Sequence, residues 1–327
     1  MSLPKPRLFM TFRSNLCDVL TIPSFAMVSV QKGEWLRILA GLSDRRGEST
    51  ISSRDLSRMS RAKGAIYMQI GAMNNPLRDP VKEIERIARE GFEFVDLTIE
   101  PPAARSDVID VSGVKRALRE TGLGAIGHTA YYLPIASPFD SLRECAVREI
   151  ENSFKLCLEL GITKVNVHPQ WKVVLRGDEW VRDQNIESLR HLADTAEKLG
   201  QKMIIENGPG VWSRAEFLEP IFDTLPEIGF HLDVGHANLD GSINRTEELL
   251  TTFGYILEHV HFSDNPGGID FSDDLHLPIG AGRIDWPKTT ALLKAVGYDG
   301  TITLEIFSRD LDYLYFSRDK LSRLWYD

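Results

Sequence analysis

From Gly64 onward, short apolar runs alternate with longer segments whose apolar residues recur every three or four positions. A run of four to eight apolar residues bounded by turn residues reads as a buried strand, and the three-to-four period reads as an amphipathic helix. Strands are predicted at residues 65–70, 92–97, 124–127, 163–167, 202–205, 229–233, 256–262 and 301–304. Between them, Asp79-Pro80 opens a helix with proline near its first turn, and Val81, Ile84, Ile87 and Ala88 form its apolar face. Further helices are predicted at 111–120, 141–160, 181–199, 214–224, 246–253, 286–295 and about 310–324. Gly161 and Gly200 stand where C-terminal caps are needed.

Strand–helix alternation implies parallel strands joined by right-handed crossovers. Eight such units between Gly64 and the end of the chain predict a closed (β/α)8 TIM barrel of the α/β class. A doubly wound open sheet is the alternative. It would ordinarily carry a glycine-rich phosphate loop, and no GxGxxG follows a strand here. Residues 1–63 show neither period, and Arg and Ser cluster between Ser43 and Arg58. They are read as an N-terminal extension, poorly ordered or accessory, with the barrel domain at 64–327.

Composition narrows the function classes. The chain has 327 residues, 43 % hydrophobic and 26 % charged, as expected of a globular protein. A net charge of −9 advertises no broad basic surface for nucleic acid. No apolar run is long enough for a membrane-spanning helix. Cys17, Cys145 and Cys157 form no CxxC pair and fit a reducing cytoplasm.

The chemistry lies at the strand ends. Side chains at the C-terminal ends of barrel strands converge on one mouth. His128, His168, Glu206, Asp233, His261 and Glu305 all fall at or next to such ends, with His236, Asp274 and His276 just beyond. Five of the eight histidines are in this set. Imidazole and carboxylate together suit Zn²⁺ or Mn²⁺, and Mg²⁺ less well, so a divalent metal site of one to three ions is expected. No thiolate is proposed, which favours exchangeable positions over a closed structural site. Asn207 and Asp264 follow ligand positions and are candidates for orienting them. Trp171 and Trp212 are candidate pocket walls or ordinary packing. Arg283 and Arg309 are candidates for a substrate phosphate, or solvated loop charge. His231 and His259 share the inward face of their strands with Asp233 and His261; a satisfied core histidine is the competing reading. His191 falls mid-helix on the surface.

The motifs Val167-His-Pro169, Ile205-Glu-Asn207, Leu232-Asp-Val-Gly-His-Ala-Asn238, Val260-His-Phe-Ser-Asp264 and Asp274-Leu-His276 through Trp286 occur in order. On these, the chain from Gly64 resembles the xylose isomerase-like barrels, which include sugar and sugar-phosphate isomerases and epimerases and also endonuclease IV. The epimerase branch of the resemblance implies one metal on Glu206, Asp233, His261 and Glu305. The two glutamates, Glu206 and Glu305, would exchange the proton through an enediolate. The endonuclease IV branch implies a trinuclear zinc cluster on His128, His168, Glu206, Asp233, His236, His261, Asp274, His276 and Glu305, acting on abasic DNA. Tyr131 and Tyr132 stand near where that branch carries DNA-penetrating residues. The loops Gly208-Pro-Gly210, Ala237-Asn-Leu239 and Leu277-Pro278 depart from the endonuclease pattern and resemble the isomerase branch. Loops set substrate choice in a barrel, so an isomerase or epimerase acting on a small sugar or sugar phosphate is the expected function. A phosphodiesterase and a non-catalytic metal-binding barrel stay open as alternatives, and a homo-oligomer is compatible with either.

Overall fold

A computed structural model describes residues 68–269 and 272–326. The expectation for residues 1–63, together with Cys17 and the first part of the strand read at 65–70, lies outside the described residues. Eight parallel strands close into a barrel in sequential order, with the last pairing to the first. They are β1 Gln69–Met73, β2 Phe94–Ile99, β3 Gly124–Thr129, β4 Lys164–Val167, β5 Lys202–Glu206, β6 Gly229–Asp233, β7 Leu257–Phe262 and β8 Thr301–Leu304. Helices α1 Pro80–Arg89, α2 Val111–Thr121, α3 Asp140–Leu160, α4 Asp178–Lys198, α5 Ala215–Thr224, α6 Thr246–Phe253, α7 Trp286–Ala295 and α8 Asp312–Tyr326 follow them in turn. No described helix is long and apolar enough to cross a membrane.

Local chemistry explains these elements. Asp79 caps α1 through its side chain to the Val81 N–H at 2.9 Å, and Pro80 sits where its missing N–H costs nothing. Asp285 caps α7 in the same way, accepting from the Lys288 N–H at 3.0 Å. Gly161 ends α3 in the left-handed region at φ 78°, which a side chain would oppose. The strands are buried on both faces, as parallel barrel strands must be, and all six residues of β2 are inaccessible. Ile84, Val114, Phe154, Leu189, Phe222 and Leu293 carry the helix layer onto the outer face of the barrel. Inside, the Phe94 ring lies against Gly71, where any side chain would collide with it, and edge-on to His259 at 5.9 Å. That ring fills the barrel below the polar mouth.

The boundaries differ from the pattern in informative ways. β3 extends through Thr129, so His128 lies within the strand rather than after it. Its glycines and threonine weaken the apolar signal there, and pairing with β2 up to Ile99–Thr129 sets the true end. α4 begins at Asp178, because Asp178 and Glu179 favour its positive N-terminal end without being apolar.

Candidate metal centre

Glu206 and Asp233 are the last residues of β5 and β6, His261 lies in β7, and Glu305 directly follows β8. One ligand atom from each of these four lies within 4.8 Å of all the others. A second group, His128, His168 and Glu206, meets the same condition and shares Glu206 with the first. In a third, Asp274 Oδ2 lies 3.1 Å from both His236 Nε2 and His276 Nε2. All nine strand-end candidates therefore meet at one mouth.

Hydrogen bonds aim the imidazoles. Asp96 Oδ2 accepts from His261 Nε2 at 2.7 Å, which turns Nδ1 towards Glu305, 3.0 Å away. His236 Nδ1 donates to the Asn207 carbonyl at 2.9 Å, leaving Nε2 beside Asp274. His276 Nδ1 donates to the Glu305 carbonyl at 3.2 Å, leaving its Nε2 beside the same carboxylate. An outer acceptor on one ring nitrogen is the usual way a metal-binding histidine is oriented. His276 takes φ 45°, a backbone conformation that few side chains other than Asn, Asp and His adopt. Glu206 Oε2 accepts from Asn166 Nδ2 at 2.7 Å and lies 2.8 Å from His168 Nε2.

The charge balance calls for a cation. Glu206, Asp233, Asp274 and Glu305 bring four carboxyl groups together beneath the surface, which is costly without positive charge. Burial pushes the Asp233 carboxyl up to about 7, with Glu206 and Glu305 adding to the rise and His236 opposing it. Burial opposes protonation of His236 and His261, yet neighbouring carboxylates hold both imidazoles well above their usual range. Asp233 Oδ2, Asp274 Oδ1 and His168 Nδ1 are buried with no hydrogen-bond partner among the described residues. The donor set and these spare atoms fit a divalent cation of the Zn²⁺ or Mn²⁺ kind.

Above the cluster opens a cavity of about 490 Å³, a size typical of small-molecule sites. Trp171 forms one wall, edge-on to His168 and His236 with ring centroids 5.6 and 5.3 Å away. Trp212 lies behind it, donating its indole N–H to the Trp171 carbonyl at 2.9 Å. Tyr131 lines the cavity and Tyr132 does not, although both are half exposed. Asn207 clamps β5 to β6, its amide accepting from the Asp233 N–H at 2.8 Å and donating to the Asp233 carbonyl at 3.0 Å.

Arg283 needs correction, and two other expected positions act from outside the catalytic cavity. Asp264 accepts from the Gly280 N–H at 2.7 Å and the Trp286 indole at 2.8 Å, so it shapes, from outside the cavity, the loop that carries Asp274 and His276. Arg283 is turned away to donate to the Gly241 carbonyl at 2.9 Å. Arg309 lies outside the catalytic cavity and borders the adjoining one. His231 and His259 lie fully inside the barrel, the latter bonded to Thr301 Oγ1 at 2.7 Å. His191 pairs with Glu151 on the surface.

Asp96, Asn166 and Glu100 are missing from the residues read out of the sequence. Asp96 is wholly buried in β2 and serves His261, His259, Thr303 and His128. Its signal was an acid in the middle of the apolar run Phe94–Ile99, where burial demands partners. Glu100 lines the cavity just past β2, and burial raises its carboxyl above the usual range.

A family model described as a xylose isomerase-like TIM barrel matches residues 84–323. The chain is 33 % identical over 178 residues to an uncharacterized protein of Methanocaldococcus jannaschii, covering 52 % of this chain and 59 % of that one. It is 25 % identical over 245 residues to the D-psicose 3-epimerase of Ruminiclostridium cellulolyticum, covering 69 % and 78 %. It is also 25 % identical over 189 residues to a probable endonuclease 4 of a Thermotoga species, covering 52 % and 65 %. The chain thus spans less than two thirds of the first and third of these relatives. The crystal structure of a D-tagatose 3-epimerase-like protein superposes with a TM-score of 0.69 at 25 % identity, over 79 % of this chain and 97 % of that one. By its barrel, its strand-end cluster and this match over most of its length, the chain belongs to the xylose isomerase-like TIM barrel family.

Proposed function

We propose that this protein is a metal-dependent sugar epimerase or isomerase, with Glu206 and Glu305 as the proton-transferring pair. The convergence of Glu206, Asp233, His261 and Glu305 at the floor of a small cavity carries the reading. A cation held by these four would polarise the substrate carbonyl as a Lewis acid. Glu206 and Glu305 reach the floor from strands three apart around the barrel, so they address a bound substrate from different sides. One carboxylate takes the proton from the carbon next to the carbonyl, and the other side returns one, inverting that carbon through an enediolate. Asn166 and His168 hold the Glu206 carboxylate in place, and His261 does the same for Glu305. Trp171 and Phe307 give the sugar's C–H faces an apolar wall. The D-psicose 3-epimerase similarity supports the same class. Replacing Glu206→Gln or Glu305→Gln is expected to leave a folded barrel and to lower turnover of a responsive ketose by about 10²–10⁴-fold. Full turnover in either variant would remove the assigned role.

One observation favours a second reading, a phosphodiester hydrolase of the endonuclease IV kind acting on abasic DNA. The additional groups His128–His168–Glu206 and His236–Asp274–His276 exceed what one cation needs. Metal content, a ketose and ketose-phosphate panel, and an abasic duplex, each run on wild type and His128→Ala, separate the two. An epimerase keeps one metal and part of its turnover in the variant. Robust duplex cleavage by wild type, lost together with a metal in the variant, would replace the first reading with the second.

A further inference from the structure

We infer that the sugar epimerase site extends into a second chamber that holds an anionic terminus of the substrate, so that the substrate class is a ketose carrying a phosphate ester. A cavity of about 470 Å³ adjoins the catalytic one, and Met73, Asn74, Pro76 and Phe307 line both. The chamber lies between the segment after β1 and the segment after β8. Its charged lining is Arg78, Arg86, Arg309 and one acid, Glu83. Three guanidinium groups against one carboxylate leave a positive surplus in a protein whose net charge is −9.

The surplus is available to a ligand. Glu83 is spent on Arg86, at 2.9 Å, and is only loosely approached by Arg78, at 3.7 Å. Arg78 is exposed, with 61 % of its side chain accessible. Arg309 is exposed and forms no ion pair among the described residues. Ser308 adds a hydroxyl to the same lining. Planar guanidinium forks suit a phosphate better than isolated ammonium groups would. The catalytic chamber has the opposite character, being lined by Glu100, Glu206, Asp274 and Glu305. A substrate with a neutral polyol end and an anionic end is therefore oriented by charge, with the anion directed away from the carboxylates. The span is right: Arg309 follows Glu305 by four residues, so their Cα atoms lie at most about 14 Å apart, within reach of one extended sugar phosphate and two side chains.

This inference rests on the epimerase reading for its substrate but not for its anion site, and the test keeps the two apart. Inorganic phosphate is titrated calorimetrically into the metal-loaded wild type, the double variant Arg78→Ala/Arg309→Ala, and Glu206→Gln. The expected result is binding in wild type and in Glu206→Gln, weakened about tenfold or more in the arginine double variant. Both arginines are exposed, so the variant's fold is checked by its unchanged thermal midpoint. D-fructose, D-fructose 6-phosphate and the carboxylated ketose D-fructuronate then serve as probes. The phosphate ester is expected to bind about tenfold more tightly than the neutral ketose, and the double variant to lose that preference while holding D-fructose equally well. Preference for D-fructuronate over the ester would overturn the phosphate assignment. Absent phosphate binding in wild type, or binding that survives in the arginine variant and vanishes in Glu206→Gln, would overturn the chamber itself. Arginine-dependent phosphate binding without turnover of any ketose would retain the anion site and sink the epimerase reading.

Discussion

Asp96 illustrates how much one buried residue can govern. Burial opposes its ionisation, but His128, His259 and His261 hold its carboxyl well below the usual range. The charged carboxylate in turn fixes which nitrogen of His261 faces the cluster. Asp96→Asn keeps the size of the side chain and removes the charge behind His261. Metal affinity is expected to fall about 10–100-fold, measured by competition with a chelator, while the protein stays folded. Unchanged affinity would show that the Asp96–His261 contact does not tune the site. His259 marks the other side of this network: burial pushes it down to about 4, so it stays a neutral donor inside the barrel.

At the scale of elements, the segment between β7 and α7 delivers Asp274 and His276 from outside the barrel. It is pinned where Asp264 and Leu277 exchange backbone hydrogen bonds at 2.9 and 2.8 Å. The Asp264 carboxylate then gathers the Gly280 and Asn265 N–H groups and the Trp286 indole. Asp264→Ala strands these buried donors and is expected to cost about 3 kcal/mol of stability, read as a lowered thermal midpoint. Under the phosphodiester-hydrolase reading, metal held through Asp274 and His276 should be lost in the same variant; under the epimerase reading, the metal on Glu206, Asp233, His261 and Glu305 remains. An unaltered midpoint would show that the loop is held by other contacts.

For the whole molecule, a metal held by the cluster would couple its binding to protons and stability. Without metal, His236 and His261 are held protonated by their carboxylates, His276 is raised to about 9, and Asp233 to about 7. A cation needs the imidazoles neutral and Asp233 ionised, so its binding releases protons. Raised pKa values therefore mean that acid competes with the metal, and affinity increases with pH from about 6 up through about 9. The expected slope is about tenfold per pH unit for each proton released, measured by calorimetry in buffers of different ionisation enthalpy. A flat profile would contradict a cluster that exchanges protons for metal. A metal that binds only the assembled cluster, saturating at about 1,000 times its dissociation constant, should add roughly 4 kcal/mol to stability. A chelator should reverse that gain.

The alternation of strand and helix patterns was sufficient to predict the barrel, because backbone period and burial are local properties written into neighbouring residues. Strand-end positions were legible for the same reason: a polar ligand after an apolar run marks where a strand leaves the core. His128, Glu206, Asp233, His261 and Glu305 could be collected that way. Closure of the barrel decided the rest. Only closure brings Asp96 against His261, far apart in the chain, since β2 and β7 meet across the interior and not along the sequence. Closure also sorts the candidate ligands into groups, two of which share Glu206 while Asp274 joins His236 and His276 in the third. The loops were least legible. Arg283 read as a candidate for a substrate phosphate, yet the Gly241 carbonyl of a folded loop claimed its side chain. Arg309, read the same way, borders the chamber beside the site. Which polar side chain faces a cavity depends on the competing hydrogen bonds around it, and those partners exist only once the tertiary structure has formed.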